Sequence, residues 1–222
     1  IRDGEELDVA IIDSYLKAHI PGLSGEPQIS QFPGGASNLT YLLEYPQQEF
    51  VLRRPPFGHK AKSAHDMGRE YRILNQLNAG FPYCPKAYVH CTDESVIGAE
   101  FYVMQRVNGI ILRADLPAEL NFSPAQTSQL CKSFIDKLVE LHNVDYQACG
   151  LGDLGKPEGY VARQISGWSD RYEKALTPDA PLWTEVKAWL NEKMPADHPK
   201  SAIVHNDYRF DNVILDPRDP QR

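Results

Sequence analysis

The chain has 222 residues, 42% of them hydrophobic and 24% charged, enough for one large domain or two small lobes. Its formal net charge is −7, so nucleic-acid binding is not expected, because phosphate contacts need a concentrated basic face. No apolar run approaches the ~18 residues of a membrane span, and a local cluster of Arg53, Arg54, Lys60 and Lys62 leaves a small anionic ligand open.

The N-terminus, Ile1-Arg2-Asp3-Gly4-Glu5-Glu6, is acidic, lacks an initiator Met and has no signal-peptide core. The four cysteines (Cys84, Cys91, Cys131, Cys149) show no CxxC pairing and no histidine at zinc spacing. Reduced, mostly buried thiols in a cytoplasmic protein are the expectation.

Val9, Ile12, Leu16 and Ile20 recur at helical spacing from about Asp8, and Pro21-Gly22 ends the segment. Short aromatic or β-branched segments follow at Ile29 to Phe32, Thr40 to Tyr45 and Phe50 to Arg53. Pro33-Gly34-Gly35 and Pro46-Gln47-Gln48 separate them, so they read as an antiparallel three-stranded meander. After a loop over Pro55 to Ser63, a helix is expected from about Asp66 to Asn78. Two further strands, Tyr88 to Cys91 and Glu100 to Arg106, complete a five-stranded sheet with one inserted helix.

Near Asn108-Gly109 the texture becomes helical. Ser123-Pro124-Ala125-Gln126 is a capping box with proline at the first helical position. Leu130, Phe134, Leu138 and Leu141 form one apolar stripe on the helix it opens. Two more helices are expected, about Glu158 to Ala175 and Leu182 to Met194, then strands at Ala202 to Val204 and Val213 to Leu215. The chain therefore divides into two expected lobes, 1–107, rich in strands, and 108–222, mainly helical.

The stretch His205-Asn206-Asp207-Tyr208-Arg209-Phe210-Asp211-Asn212 fits H-x-D-x-x-x-x-N. Phosphoryl transfer needs an Asp to orient an attacking hydroxyl and accept its proton, and a neutral oxygen ligand for magnesium a few residues away. The bland alternative is a solvated Asp/Asn turn. Phe32 to Thr40 holds Gly34 and Gly35, which let main-chain N–H groups approach phosphate oxygens with no Cβ in the way, although such turns are usually only turns. Strand alternation puts Val51 and Arg53 on one face and Leu52 and Arg54 on the other. Arg53 is then the cation offered to nucleotide phosphates, if not simply a surface arginine. Glu70, on the next helix, is its candidate partner, or else part of a solvated face with Arg69 and Arg72. The order of these signals, hairpin to motif, is the order a two-lobed kinase requires.

With those residues in place, the chain resembles the aminoglycoside phosphotransferase and choline kinase superfamily. It is most similar to the kinase domains fused to acyl-CoA dehydrogenases. The resemblance runs through FPGGASNLTYLL (32–43), FVLRRPP (50–56), GREYRIL (68–74), FYVMQRVNG (101–109), LVELHNVD (138–145), YVARQISGWSDRYEKA (160–175) and IVHNDYRFDNVILD (203–216). It implies an α+β, bilobal protein-kinase-like fold: an N-terminal five-stranded antiparallel sheet with one inserted helix, then a mainly helical lobe. Asp207 resembles the catalytic base and Asn212 a magnesium ligand. Gly34, Gly35, Ser37 and Asn38 look like the phosphate-covering loop. Arg53 and Glu70 look like the phosphate-holding pair. Met104 to Val107, including Gln105, looks like the linker whose backbone meets adenine. His205 resembles a brace for the loop, and His142 a core histidine.

Three positions depart from the family pattern. Arg53 stands where most members have lysine, a change of geometry as well as of charge carrier. Asn206 replaces a frequent glycine, which asparagine's tolerance of left-handed dihedrals accommodates. No further Asp follows on a strand after Leu215, and Asp216 and Asp219 in a proline-bearing turn are poor substitutes. The second lobe therefore reads as truncated. The implied activity is an ATP- and Mg2+-dependent kinase acting on a small-molecule hydroxyl, such as a hydroxyacyl-CoA or hydroxy acid, with no nucleic-acid or membrane partner. The alternatives are a catalytically inactive nucleotide-binding or interaction module, or a structural fragment. Oligomeric state is not fixed by the sequence.

Overall fold

The computed structural model describes residues 1–33, 38–56, 66–113 and 115–221. The Asp8 side chain accepts a hydrogen bond from the Ile11 N–H and so starts helix α1, Val9–His19. Five antiparallel strands form one sheet: β1 Gln28–Gln31, β2 Leu39–Glu44, β3 Glu49–Arg54, β4 Ala87–Cys91 and β5 Phe101–Gln105, in spatial order β1-β2-β3-β5-β4. Helix α2, Met67–Leu77, is inserted between β3 and β4 and opens on Asp66, whose carboxylate accepts from the Arg69 N–H.

Strand alternation divides the sheet into two faces. Tyr41, Leu43, Phe50, Leu52, Val89, Phe101 and Val103 point to one side, where Ile12 and Leu16 of α1 and Ile20 just after it cover them. Leu52 and Phe50 lose all contact with water, each contributing about 1.5–3 kcal/mol of transfer free energy. The registers Arg53↔Tyr102, Val51↔Met104 and His90↔Tyr102 place those residues together on the opposite face, toward α2. The sheet thus separates a sealed core from a surface that carries polar groups.

The second half begins with α3, Pro124–His142, and its capping box is formed: Ser123 Oγ accepts from the Gln126 N–H while Gln126 Oε1 accepts from the Ser123 N–H. Helices α4, Tyr160–Lys174, and α5, Thr184–Glu192, contain no buried residue. Leu77 of α2, Leu141 of α3 and Leu151 form a second core, and Leu112, Leu130 and Leu215 form a third. No helix among the described residues is long and apolar enough to cross a membrane.

Several expectations need correction. The strands expected at 202–204 and 213–215 are not strands. A strand needs a neighbour for its main-chain groups. Residues 202–204 have none among the described residues, Ile203 packing instead against the second core. Leu215 makes one isolated antiparallel bridge, to Ile110, and the turn at Asp216-Pro217-Arg218 stops it there. His142 is solvent-exposed at the end of α3 rather than a core histidine, because it follows Leu141 and falls off the buried stripe. The four cysteines are free thiols, yet only Cys91 is buried, and Cys131 is exposed beside the stripe residue Leu130.

Candidate active site

Two clusters gather the polar residues that the sequence singles out. The first lies on the α2 side of the sheet. Arg53 Nη1 is 3.1 Å from Glu70 Oε2, so the central strand and the inserted helix meet as an ion pair. Asn38, at the start of β2, donates from Nδ2 to Glu70 Oε1 at 3.1 Å. The residue that leads into β2 is thereby fastened to the same carboxylate. Arg54, on the opposite face, is fully buried and donates from Nη1 to the Ile97 carbonyl at 2.8 Å. Burial lowers its pKa; it is a core residue.

Tyr102 belongs to this cluster and was not among the residues singled out from the sequence. Its hydroxyl donates to Glu70 Oε2 at 2.8 Å and accepts from Arg53 Nη1 at 3.3 Å. The register Arg53↔Tyr102 sets the tyrosine directly across from the basic residue and on the same face. Burial pushes its phenol well above the ordinary range, with Arg53 opposing and Glu70 adding to the shift. Tyr102 therefore remains a neutral donor.

At the end of β5 the Gln105 N–H donates to the Lys86 carbonyl at 2.8 Å and the Arg106 N–H to the Glu49 carbonyl at 3.4 Å. Among the described residues, no group accepts from the Val107 N–H. Met104 is half-buried on the Val51 side of the sheet and Gln105 is exposed.

The second cluster is the loop after His205. Asn206 sits at φ 65°, left-handed, which turns the chain sharply before Asp207. The Asp207 N–H donates to His205 Nδ1 at 3.3 Å. Asn212 Nδ2 donates both to the Asp207 carbonyl, at 2.9 Å, and to Asp207 Oδ2, at 2.7 Å. A short 3-10 turn, Phe210–Asn212, brings these two residues together, in place of the loop between strands that the sequence suggested. Phe134 of α3 supports the loop, its ring stacking on Tyr208 at 4.2 Å and on Phe210 at 4.1 Å, and its carbonyl accepts from the Tyr208 hydroxyl at 2.7 Å. Asp207 and Asn212 are both exposed.

The structure thus joins Asn38, Arg53 and Glu70, and separately joins Asp207 and Asn212. No hydrogen bond or ion pair among the described residues links the two clusters. Gly34, Gly35 and Ser37 lie outside the described residues.

Residues 28–222 match the profile of the phosphotransferase enzyme family. The chain belongs to that family. Acyl-CoA dehydrogenase family member 11 of Gallus gallus is 38% identical over 98% of this phosphotransferase chain. The chain spans only 28% of that relative's length. A solved structure from Ralstonia eutropha, assigned to the aminoglycoside phosphotransferases, is 35% identical and superposes with a TM-score of 0.83, covering 97% of this chain and 62% of its own. The streptomycin–ATP–APH(2″)-IIa ternary complex shares the fold at 18% identity and a TM-score of 0.61, over 94% of this chain and 66% of its own. The architecture is therefore the α+β, kinase-like one.

Proposed function

We propose that this phosphotransferase is an ATP- and Mg2+-dependent kinase that phosphorylates a hydroxyl of a small molecule. Residues 1–107 form its nucleotide lobe, and residues 108–222 carry the catalytic loop and the acceptor-facing helices. What carries the reading is the Asp207–Asn212 pair, in a chain whose sheet also holds a paired Arg53 and Glu70.

The division of labour follows from the side-chain chemistry. Asp207 offers a carboxylate held by two separate restraints, its own N–H on His205 and its Oδ2 on Asn212. It orients the alcohol and takes its proton as the oxygen–phosphorus bond forms and the bond to the departing diphosphate breaks. Asn212 uses its Nδ2 on Asp207, which leaves Oδ1 as a neutral oxygen ligand. A hard oxygen set of this kind suits magnesium, which usually takes one or two protein ligands and completes its shell with phosphates and water. Bound magnesium supplies charge neutralisation along the phosphates.

Arg53 offers a guanidinium to phosphate oxygens, and a phosphate accepts such a fork well. Asn38, with Gly34, Gly35 and Ser37, covers the phosphates, and the backbone of Met104, Gln105 and Val107 meets the adenine edge. Support for the last assignment is the Val107 N–H, whose two preceding neighbours are already engaged in the sheet. The similarity to acyl-CoA dehydrogenase family member 11 supports a hydroxyacyl-CoA or hydroxy acid as acceptor.

The test is phosphoryl transfer from Mg·ATP to a panel of hydroxyacyl-CoAs, hydroxy acids and aminoglycosides, read as the gain of one phosphoryl group by mass spectrometry. Transfer to a hydroxyacyl-CoA or hydroxy acid is expected. Nucleotide binding with no transfer to any acceptor would support the inactive nucleotide-binding reading instead.

A further inference from the structure

Arg53 has few anchors for a residue asked to hold phosphates. Its Nε is buried and has no hydrogen-bond partner among the described residues. Its Nη1 touches two groups, Glu70 Oε2 and the Tyr102 hydroxyl. Those two groups also bond to each other at 2.8 Å, so Nη1, the phenol oxygen and the carboxylate oxygen close a triangle. Tyr102 is wholly buried and directly opposite Arg53 in the β3–β5 register. Its ring is therefore fixed by the sheet while Arg53 and Glu70 remain about one-third exposed.

The triangle has a physical consequence. Arginine carries a long side chain with about 2 kcal/mol of rotamer entropy, and a guanidinium can satisfy one carboxylate in several geometries. A rigid acceptor on a second side selects one of them. The same hydroxyl donates to Glu70, which restricts the carboxylate as well.

We infer that Tyr102 is a positioning residue for nucleotide binding: its hydroxyl fixes the direction of the Arg53 guanidinium, and so sets phosphate affinity without touching the phosphates. This rests on the nucleotide-binding reading of the Arg53 face.

The experiment is calorimetric titration of Mg·ADP into the intact protein and its Tyr102→Phe variant, with urea unfolding of both. Phenylalanine keeps the ring and its packing. A dissociation constant raised about tenfold, with the unfolding midpoint little changed, is the expected result. Arg53→Met and the double variant complete a cycle. If Tyr102 acts through Arg53, adding Tyr102→Phe to Arg53→Met costs no further affinity. Unchanged affinity in Tyr102→Phe, or fully additive losses in the double variant, would overturn the assignment while leaving nucleotide binding intact. No binding of Mg·ADP by the unsubstituted protein would instead overturn the nucleotide reading, and this inference with it.

Discussion

Glu70 Oε2 lies 3.1 Å from Arg53 Nη1, which ties helix α2 to the middle strand of the sheet on the face away from the α1 core. Both side chains keep about a third of their surface exposed, so the pair contributes little to folding and is suited to holding a charge in place. Arg53→Ala is expected to weaken binding of a non-hydrolysable Mg·ATP analogue by about 10–100-fold, the range for losing a charge-assisted hydrogen bond. Arg53→Lys should fall between the two, since an ammonium keeps the charge but not the planar, bidentate geometry that a phosphate accepts from a guanidinium. Equal affinity in all three proteins would remove Arg53 from the site.

Asn212 donates to Asp207 and is proposed to offer Oδ1 to magnesium. Asn212→Ala should raise the Mg2+ concentration needed for half-maximal nucleotide binding by roughly tenfold or more. A magnesium titration of nucleotide affinity reads this directly. An unshifted curve would rule out the ligand role.

Gly109 stands where the chain leaves the sheet, and a Cβ there would lie 2.3 Å from the Leu215 carbonyl oxygen and 2.6 Å from Ile214 Cγ2. The Ile110–Leu215 bridge beside it closes the segment that follows the Asp207 loop. Gly109→Ala is expected to destabilise the protein by about 1–3 kcal/mol, as overpacking does. Gly167, inside α4, has nothing within 4 Å of its added Cβ. Gly167→Ala should therefore stabilise by about 0.5–1 kcal/mol through helix propensity. Urea unfolding of both variants separates a contact effect from a general dislike of side chains at glycine positions.

Arg72 of α2 forms a fork on Asp153 and also donates to the Gly150 carbonyl at 2.9 Å. The hydrogen bond from Arg72 holds the Asp153 carboxyl below its ordinary value of 3.8. A depressed folded-state pKa stabilises above the unfolded value, and that contribution is lost as pH falls through the lower, folded value. The pair is exposed, so the effect is small. Asp153→Asn should lower the melting temperature slightly at neutral pH and show a flatter acid limb, the difference from the unsubstituted protein closing below about pH 4. Identical acid limbs would contradict the pairing.

The sheet was legible because period-2 patterning and turn residues spoke together: Thr40 to Tyr45 and Phe50 to Arg53 fall within a residue or two of β2 and β3. The α3 capping box was equally readable from Ser123 and Gln126. Alternation also puts Arg53 and Arg54 on opposite faces, as found, whereas the burial of Arg54 in the core is visible only in the fold. Tyr102 was not legible, because its role depends on a cross-strand register that no local pattern encodes. The triplets Ala202 to Val204 and Val213 to Leu215 misled for the same reason. Their β-branched composition fits a strand, but pairing is a property of neighbours, and Leu215 finds only Ile110. His142 looked apolar by sequence position, yet one residue beyond Leu141 the helix faces solvent.

In the proposed reaction the Asp207 carboxylate receives the proton of the attacking hydroxyl. Asp207→Ala tests it most directly, with turnover of Mg·ATP and nucleotide affinity measured on the same protein. A loss of turnover of about a hundredfold or more, with nucleotide affinity near that of the unsubstituted protein, is the predicted result. Turnover within a few-fold of the unsubstituted protein would contradict it.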